Sequence, residues 1–397
     1  MVNHLEYKSE LEKIKKLYNN GKYAGKFYKN RIKDISQLSS YGEFLTIPFM
    51  HKDEIRNSSI FERTNSSLED FYGIFSSSGT TGDKTYYVYN NNDKLVHEEF
   101  VKTFFDELEV KATDIGAVMA PVETGVMAHT MMWQFSIMKA SYINCPKPTA
   151  KNIIDTIGKV PVSIIATMPI VASSVINNPD FVKKCQKSTV KKLLLGGGYL
   201  SEGRRKALEK AWDAKCYNLF GMSEVFGPMA SECKMKNGLH YLDKYLMIEV
   251  IDPISKNPVK DGEAGVAVYT TLWDKGFPLL RYWTDDLIYI NYEKCECGST
   301  NPRMFYLGRF GDSFIENGKY IFPENIEDIL FDHGYNSEFL LEKNDNSYLL
   351  KIESDENLPK NIIEEINKLF SKNLEIEIVE IGKLDNKATK KRFIKKN

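Results

Sequence analysis

The segment Phe75-Ser76-Ser77-Ser78-Gly79-Thr80-Thr81-Gly82-Asp83-Lys84-Thr85 most narrows what this chain can become. Hydroxyls, two glycines and a lysine are packed between two β-prone flanks, residues 71–75 and 86–89. Glycines let backbone N–H groups close around phosphate oxygens, hydroxyls donate further bonds, and a lysine adds charge. A Ser/Gly hairpin turn without a ligand fits the same composition. A Walker A loop does not, because it needs Gly-Lys-Ser/Thr in sequence, and Asp83 separates Gly82 from Lys84.

At 397 residues the chain exceeds one ordinary compact domain, so two unequal domains are expected. Its 42% hydrophobic and 27% charged residues supply ample core. Lys+Arg total 53 against 54 Asp+Glu, so no overall field favours nucleic acid or an anionic membrane. The tail, residues 387–396, carries six cations and no acid; it suits either an anionic ligand or a solvated terminus. No apolar run is long enough to span a bilayer, and residues 1–16 are polar and charged, which points to a soluble cytoplasmic protein. Six cysteines in a chain this long do not suggest a disulfide framework, and in a reducing compartment clustered cysteines more often mean metal.

The stretch to about Tyr41 reads as helical, with Leu11, Ile14 and Leu17 at helical spacing. From Phe71, apolar runs at 115–120, 162–168 and 192–195 read as buried strands. They alternate with helical patterns at 93–108, 150–157 and 202–214, which makes an α/β core. After Asp243 the pattern turns β-rich, at 245–251, 265–271 and 286–292; helix and strand then mix from Pro323 onward, including 361–371 and 374–381. Gly308 and Gly311 punctuate a boundary near residues 309–312. The expectation is a large N-terminal α/β domain of layered sheets and helices, residues 1–309, and a small mobile α+β C-terminal domain, residues 310–397.

Read as it stands, Ser77-Ser78-Gly79-Thr80-Thr81-Gly82 resembles the phosphate-binding signature of the adenylate-forming superfamily, which includes acyl-CoA synthetases, adenylation domains and luciferases. Lys84 stands where that family commonly has proline. Phe220-Gly221-Met222-Ser223-Glu224 resembles the family's Tyr-Gly-x-Ser/Thr-Glu, with Glu224 implied to bind Mg²⁺; alone, it would read as a helix cap after a tight glycine turn. Gly196-Gly197-Gly198-Tyr199, before a helix starting at Ser201, falls where the family forms its adenine pocket. Arg281-Tyr282-Trp283-Thr284-Asp285-Asp286 resembles Arg-Tyr-x-Thr-Gly-Asp, with Asp285 replacing the glycine. By that register Asp286 is the carboxylate that grips both ribose hydroxyls. Gly308-Arg309-Phe310-Gly311-Asp312 resembles the interdomain hinge, and the resemblance implies that Arg309 contacts ribose or phosphate. Asn386-Lys387-Ala388-Thr389-Lys390 is similar to Gly-Lys-Ala-x-Arg, implying Lys387 as the catalytic lysine, with Lys390 and Lys391 as substitutes.

Within the superfamily the phenylacetate-CoA ligase branch is most similar, through Ser223-Glu224-Val225-Phe226-Gly227-Pro228, Phe277-Pro278-Leu279-Leu280-Arg281-Tyr282 and Phe322-Pro323-Glu324-Asn325-Ile326-Glu327. Asn317 replaces the branch's second hinge arginine. Cys233 and His240, with Cys295 and Cys297, supply three thiolates and one imidazole, a closed set suited to structural Zn²⁺; unrelated buried cysteines are the plain alternative. The implied chemistry joins a small, aromatic carboxylic acid to AMP with Mg²⁺ and Lys387, and then passes the acyl group to a thiol. The acceptor is coenzyme A, a carrier-protein phosphopantetheine or another acceptor, and the oligomeric state is unassigned, a homodimer being one option. Residues 121–125 and 131–135, Trp133 included, are candidates for an apolar pocket, whereas His129 reads as packing or pocket wall.

Overall fold

The computed structural model describes residues 7–29, 31–32, 34–77, 84–120, 125–316, 319–344, 347–381, 383–384 and 393–395. The hydroxyl-rich loop joins β1 (Phe71–Ser76) to β2 (Tyr86–Asn90), which pair antiparallel.

Further along, Leu193 and Leu195 enter one buried cluster with Ile153, Leu208 and Trp212, while Leu194 enters another with Phe100, Phe104 and Phe135. A strand alternates its side chains between faces, so an unbroken apolar run requires cover on both. This run lies in an eleven-stranded mixed sheet. Its parallel part comprises β3 (Ile115–Met119), β4 (Ser141–Asn144), β5 (Ile164–Thr167), β6 (Lys192–Gly196) and β7 (Lys215–Met222). The helices Val126–Ile137, Ala150–Lys159, Pro179–Gln186 and Glu202–Trp212 make the crossovers that parallel strands need.

From β7 the pairing turns antiparallel, through β8 (Gly227–Glu232), β9 (Leu239–Tyr241), β10 (Leu246–Ile251), β11 (Gly265–Thr271), β12 (Tyr282–Asn291) and β13 (Arg303–Arg309). The order across the sheet is β10-β11-β12-β13-β9-β8-β7-β6-β5-β3-β4. The N-terminal helix Lys8–Asn19 buries Leu11 and Ile14 against this antiparallel part, in a cluster with Ile248, Tyr269 and Ile288. Strand β12 begins four residues earlier than the pattern suggested, at Tyr282 rather than Asp286. An irregularity near its start hid it: Asp285 takes the left-handed conformation, φ +65°, beside a register shift between Val266 and Val268 of β11.

A smaller α+β part follows. The hairpin β14 (Phe314–Glu316) and β15 (Lys319–Ile321) precedes the helix Pro323–Asp332. Four strands, β16 (Phe339–Lys343), β17 (Ser347–Glu353), β18 (Asn373–Val379) and β19 (Phe393–Lys395), then pair in the order β18-β17-β16-β19. This sheet has its own core of Phe314, Leu330, Leu341, Ile352 and Ile366. Its first helix meets Glu202–Trp212 through a buried bidentate pair: Arg204 Nε lies 2.7 Å from Glu327 Oε1, and Nη2 lies 3.0 Å from Oε2. Gly203 permits that approach, since a Cβ there would lie 2.8 Å from Phe331 Cβ. Among the described residues no helix is long and apolar enough to cross a membrane.

Candidate active site

The β1–β2 hairpin ties down both ends of the hydroxyl-rich loop. The Ser77 amide donates to the Thr85 carbonyl at 2.8 Å, and the Thr85 amide donates to Ser77 Oγ at 3.3 Å. Ser77 is buried by these contacts and Lys84 is exposed. Ser78, Gly79, Thr80, Thr81 and Gly82 lie outside the described residues.

The glycine triplet sits at the carboxyl end of β6, where open α/β sheets present ligand crevices. Gly196 pairs with Leu219 of β7, and Gly197 has φ +75°. A Cβ on Gly197 would lie 2.4 Å from Met127 Sδ, so this position needs glycine both for its conformation and for its neighbour. Gly198 is exposed, and Ser201 caps the next helix by accepting from the Arg204 amide at 3.1 Å. The Tyr199 and Phe220 rings lie 6.0 and 5.4 Å from the ring of Tyr306 on β13, so loop and strand end share one aromatic wall.

Gly221 departs from expectation. Phe220, Gly221 and Met222 are the last residues of β7, not a tight glycine turn. Glycine is needed because a Cβ would lie 2.2 Å from the Gly227 carbonyl oxygen across the β7–β8 pair. The turn falls one step later, with φ +104° at Phe226 and +75° at Gly227, and Ser223 and Glu224 lie in it rather than on a helix.

The Glu224 carboxylate is buried, and Oε1 accepts from the Tyr87 hydroxyl at 2.8 Å and the Tyr282 hydroxyl at 3.2 Å. Lys52 Nζ lies 3.3 Å from the same oxygen. Burial pushes this acid's pKa up, but Lys52 and the Tyr87 hydroxyl outweigh it and hold the group below its ordinary value. The Tyr89 hydroxyl donates to the Ser223 carbonyl and braces the turn. Among the described residues these three partners all fall on Oε1, and a hard divalent cation fits at the other oxygen of such an ionised carboxylate.

Asp286 on β12 pairs in register with Arg309 on β13, and Arg309 Nε donates to Asp286 Oδ1 at 3.3 Å. Asp286 is 4% exposed, whereas the Arg309 side chain is 56% exposed. Burial pushes the Asp286 carboxyl up to about 6; Arg309 opposes the rise, while Glu224 and Asp285 add to it. The left-handed backbone at Asp285 explains why a glycine is expected there and why aspartate, one of the few other residues that tolerate it, preserves the register. Arg281 faces away from this site: its guanidinium makes a buried bidentate pair with Glu249 at 3.0 Å for both bonds and donates to the Leu45 and Ile47 carbonyls.

Cys233 follows β8, His240 lies on β9, and Cys295 and Cys297 lie in the turn between β12 and β13. Strand pairing of β8, β9 and β13 gathers them, and their ligand atoms all fall within 4.8 Å of one another. His240 Nδ1 lies 2.8 Å from the Asn301 carbonyl. A carbonyl only accepts, so Nδ1 carries the proton and Nε2, 3.5 Å from Cys297 Sγ, offers its lone pair. This donor set fits a tetrahedral zinc site.

Lys52, Tyr87 and Tyr306 carried no motif of their own, and sequence reasoning missed them. The one available signal was for Tyr87, a β-prone position just after the loop. Of the suggested apolar pocket, residues 121–124 are outside the described residues, Met131 and Phe135 are core, and Trp133 is half-buried. His129 Nε2 lies 2.8 Å from the Tyr72 hydroxyl. Asn317, Asn386, Lys387, Ala388, Thr389, Lys390 and Lys391 also lie outside the described residues.

The profile of the AMP-binding enzyme family matches residues 24–270. A phenylacetate-coenzyme A ligase of Thermus thermophilus is 28% identical over 310 residues, covering 72% of this chain and 65% of that one. The chain thus matches a little under two thirds of that ligase's length. A fumarate–(S)-2,3-diaminopropanoate ligase of Enterobacter agglomerans is 23% identical over 360 residues, covering 86% of this chain and 84% of that one. Among solved structures, a 2-hydroxyisobutyryl-CoA ligase in its postadenylation state superposes with a TM-score of 0.81 at 16% identity, over 98% of this chain and 89% of that one, which speaks for the fold. With the profile spanning more than half of its length, the chain belongs to the AMP-binding enzyme family.

Proposed function

We propose that this protein is an AMP-forming ligase that activates a small, aromatic carboxylic acid as its acyl-AMP and transfers the acyl group to the thiol of coenzyme A. The observation that carries the reading is the buried Asp286, paired across β12 and β13 with Arg309 and within electrostatic reach of Glu224. A buried acceptor beside an exposed cation suits two ribose hydroxyls with phosphates next to them. Tyr199 and Phe220, both beside the ring of Tyr306, would with Gly196, Gly197 and Gly198 border the adenine. Ser77 to Gly82 and Lys84 would cradle the outer phosphates. Bound at Glu224, Mg²⁺ would supply positive charge to them.

The residues would act by position and charge rather than by covalent attack. Residues 310–397 would form a small unit that turns about the segment after Arg309 and brings Lys387 to the α-phosphate for the first half-reaction. Cys233, His240, Cys295 and Cys297 would hold a structural zinc that fastens the β12–β13 turn to β8 and β9. The soluble character of the chain and a cytoplasmic site of action belong to the same proposal. Acid-dependent exchange of pyrophosphate into ATP tests the reading: aryl, fatty and amino acids are screened in turn, and exchange with none of them would overturn it.

A second reading keeps the first half-reaction and changes the acceptor, to a carrier-protein thiol or an amine. It is favoured by the match to the diaminopropanoate ligase, which covers 84% of that enzyme, more than the 65% of the phenylacetate ligase. Product analysis with coenzyme A, or with an amine in its place, separates the two.

A further inference from the structure

Taking a guanidinium out of water is costly unless an anion goes with it. Most buried arginines among the described residues keep to this rule. Arg204, Arg205 and Arg281 each face a carboxylate, those of Glu327, Glu232 and Glu249. Arg303 lies close enough to Cys295 to favour its thiolate. Arg63 is the exception: it is 3% exposed, and among the described residues no carboxylate bears on its charge.

Arg63 ends the short helix Ile60–Arg63. Its Nη2 donates to the Tyr86 carbonyl at 2.8 Å, its Nε donates to the Ser59 carbonyl at 3.3 Å, and the Phe277 ring centre lies 5.0 Å from Cζ. Nη1 is buried without a partner. Burial lowers the guanidinium pKa, opposed by the hydroxyls of Tyr87 and Tyr28, which their own burial keeps neutral. The ordinary value of an arginine is so high that the group stays charged. A positive charge thus sits inside the protein with no negative charge beside it.

Its place in the fold points to the missing anion. Tyr86 opens β2 and pairs with Ser76, so Arg63 grips the stem of the hydroxyl-rich loop one residue beyond Thr85, which closes that loop on Ser77. Tyr87, next along the strand, sends its hydroxyl to Glu224. We propose that Arg63 is a positioning residue for the nucleotide: from behind the loop stem its charge draws the outer phosphates of ATP onto the loop without touching them, and those phosphates are its counter-charge. The inference rests on the ATP-binding reading above. A cation fixed by two carbonyls is already in place when the phosphates arrive, so no rearrangement offsets the attraction.

Calorimetric titration of the full chain with ATP in excess Mg²⁺, with AMP and with adenosine separates charge from shape. Over roughly 10 Å, at an effective dielectric constant of about 20, Coulomb's law gives an effect of about tenfold per unit charge. Arg63→Met should therefore bind ATP about tenfold more weakly, with AMP affected less and adenosine bound as by wild type. Arg63→Lys keeps the charge and should stay within about threefold of wild type for all three ligands. If Arg63→Met does not fold, Arg63→Gln, neutral and still a donor, carries the comparison. Equal loss for all three ligands marks a fault of packing and overturns the inference. Unchanged ATP binding in the neutral variant overturns it too, as does an Arg63→Lys as weak as Arg63→Met. Wild type that binds none of the three ligands defeats the ATP-binding reading itself.

Discussion

Asp286→Asn should make the protein more stable and worse at binding ATP. The wild-type carboxyl rises from 3.8 to about 6 on folding, chiefly through burial. At about 1.36 kcal/mol per unit, keeping that charge at neutral pH costs the fold about 3 kcal/mol. Asparagine keeps the shape without the charge, and Arg309, its side chain 56% exposed, can turn to water. Allowing for an amide N–H left without a partner, a net gain of about 1–3 kcal/mol in unfolding free energy is expected at pH 7. The gain has a pH signature. A raised folded-state value means that protonation stabilises the wild type, so the gap between the two proteins is largest above pH about 6. It narrows as pH falls towards 3.8, where the carboxyl is neutral in both states. Loss of a charged acceptor for two hydroxyls should weaken ATP binding by about 2–4 kcal/mol. Urea unfolding from pH 4 to 8 and ATP titration on the same preparations supply both numbers. A variant less stable than wild type at pH 7, or one with unchanged ATP affinity, would refute the reasoning.

Three more outcomes are expected. Purified protein should contain about one zinc per chain, lost in Cys295→Ser and Cys297→Ser with a lower unfolding temperature; elemental analysis finding no zinc in wild type removes the site. Lys387→Ala should slow pyrophosphate exchange by roughly 10²–10³-fold while thioester formation from supplied acyl-AMP suffers much less; exchange at the wild-type rate, with a collapse in Lys390→Ala or Lys391→Ala instead, would move the role to that neighbour. Glu327→Gln takes the bidentate carboxylate from the buried Arg204 guanidinium and leaves Glu338 as its remaining counter-charge, about 1–3 kcal/mol against the packing of the helix Pro323–Asp332 on Glu202–Trp212. X-ray scattering should then show the C-terminal part displaced; a profile identical to wild type would show that this pair does not hold it.

The chemistry of single positions was legible in the sequence because it depends on short runs of chain. Three leucines in a row required a strand covered on both faces, and β6 has that cover. Gly197 and Asp285 occupy left-handed backbone, which a motif written in glycines anticipates. What failed was local geometry set by distant partners. Gly221 looked like a turn glycine, yet it is a strand residue made necessary by the Gly227 carbonyl. Arg281 opens the run whose resemblance suggested ribose binding, yet its guanidinium bonds Glu249 and two N-terminal carbonyls.

The sequence by itself determined the family, the two parts of the α/β architecture and the order of the motifs, because backbone conformation and side-chain alternation are written every few residues. Only the tertiary structure decided which charges meet. Lys52 and Tyr87 reach Glu224 from far along the chain, Arg309 stands opposite Asp286 by strand register, and the pairing of β8, β9 and β13 brings four metal-ligand atoms to within 4.8 Å. The physical reason is that burial and Coulomb energy depend on distance in space, and sheet pairing, not sequence separation, sets that distance.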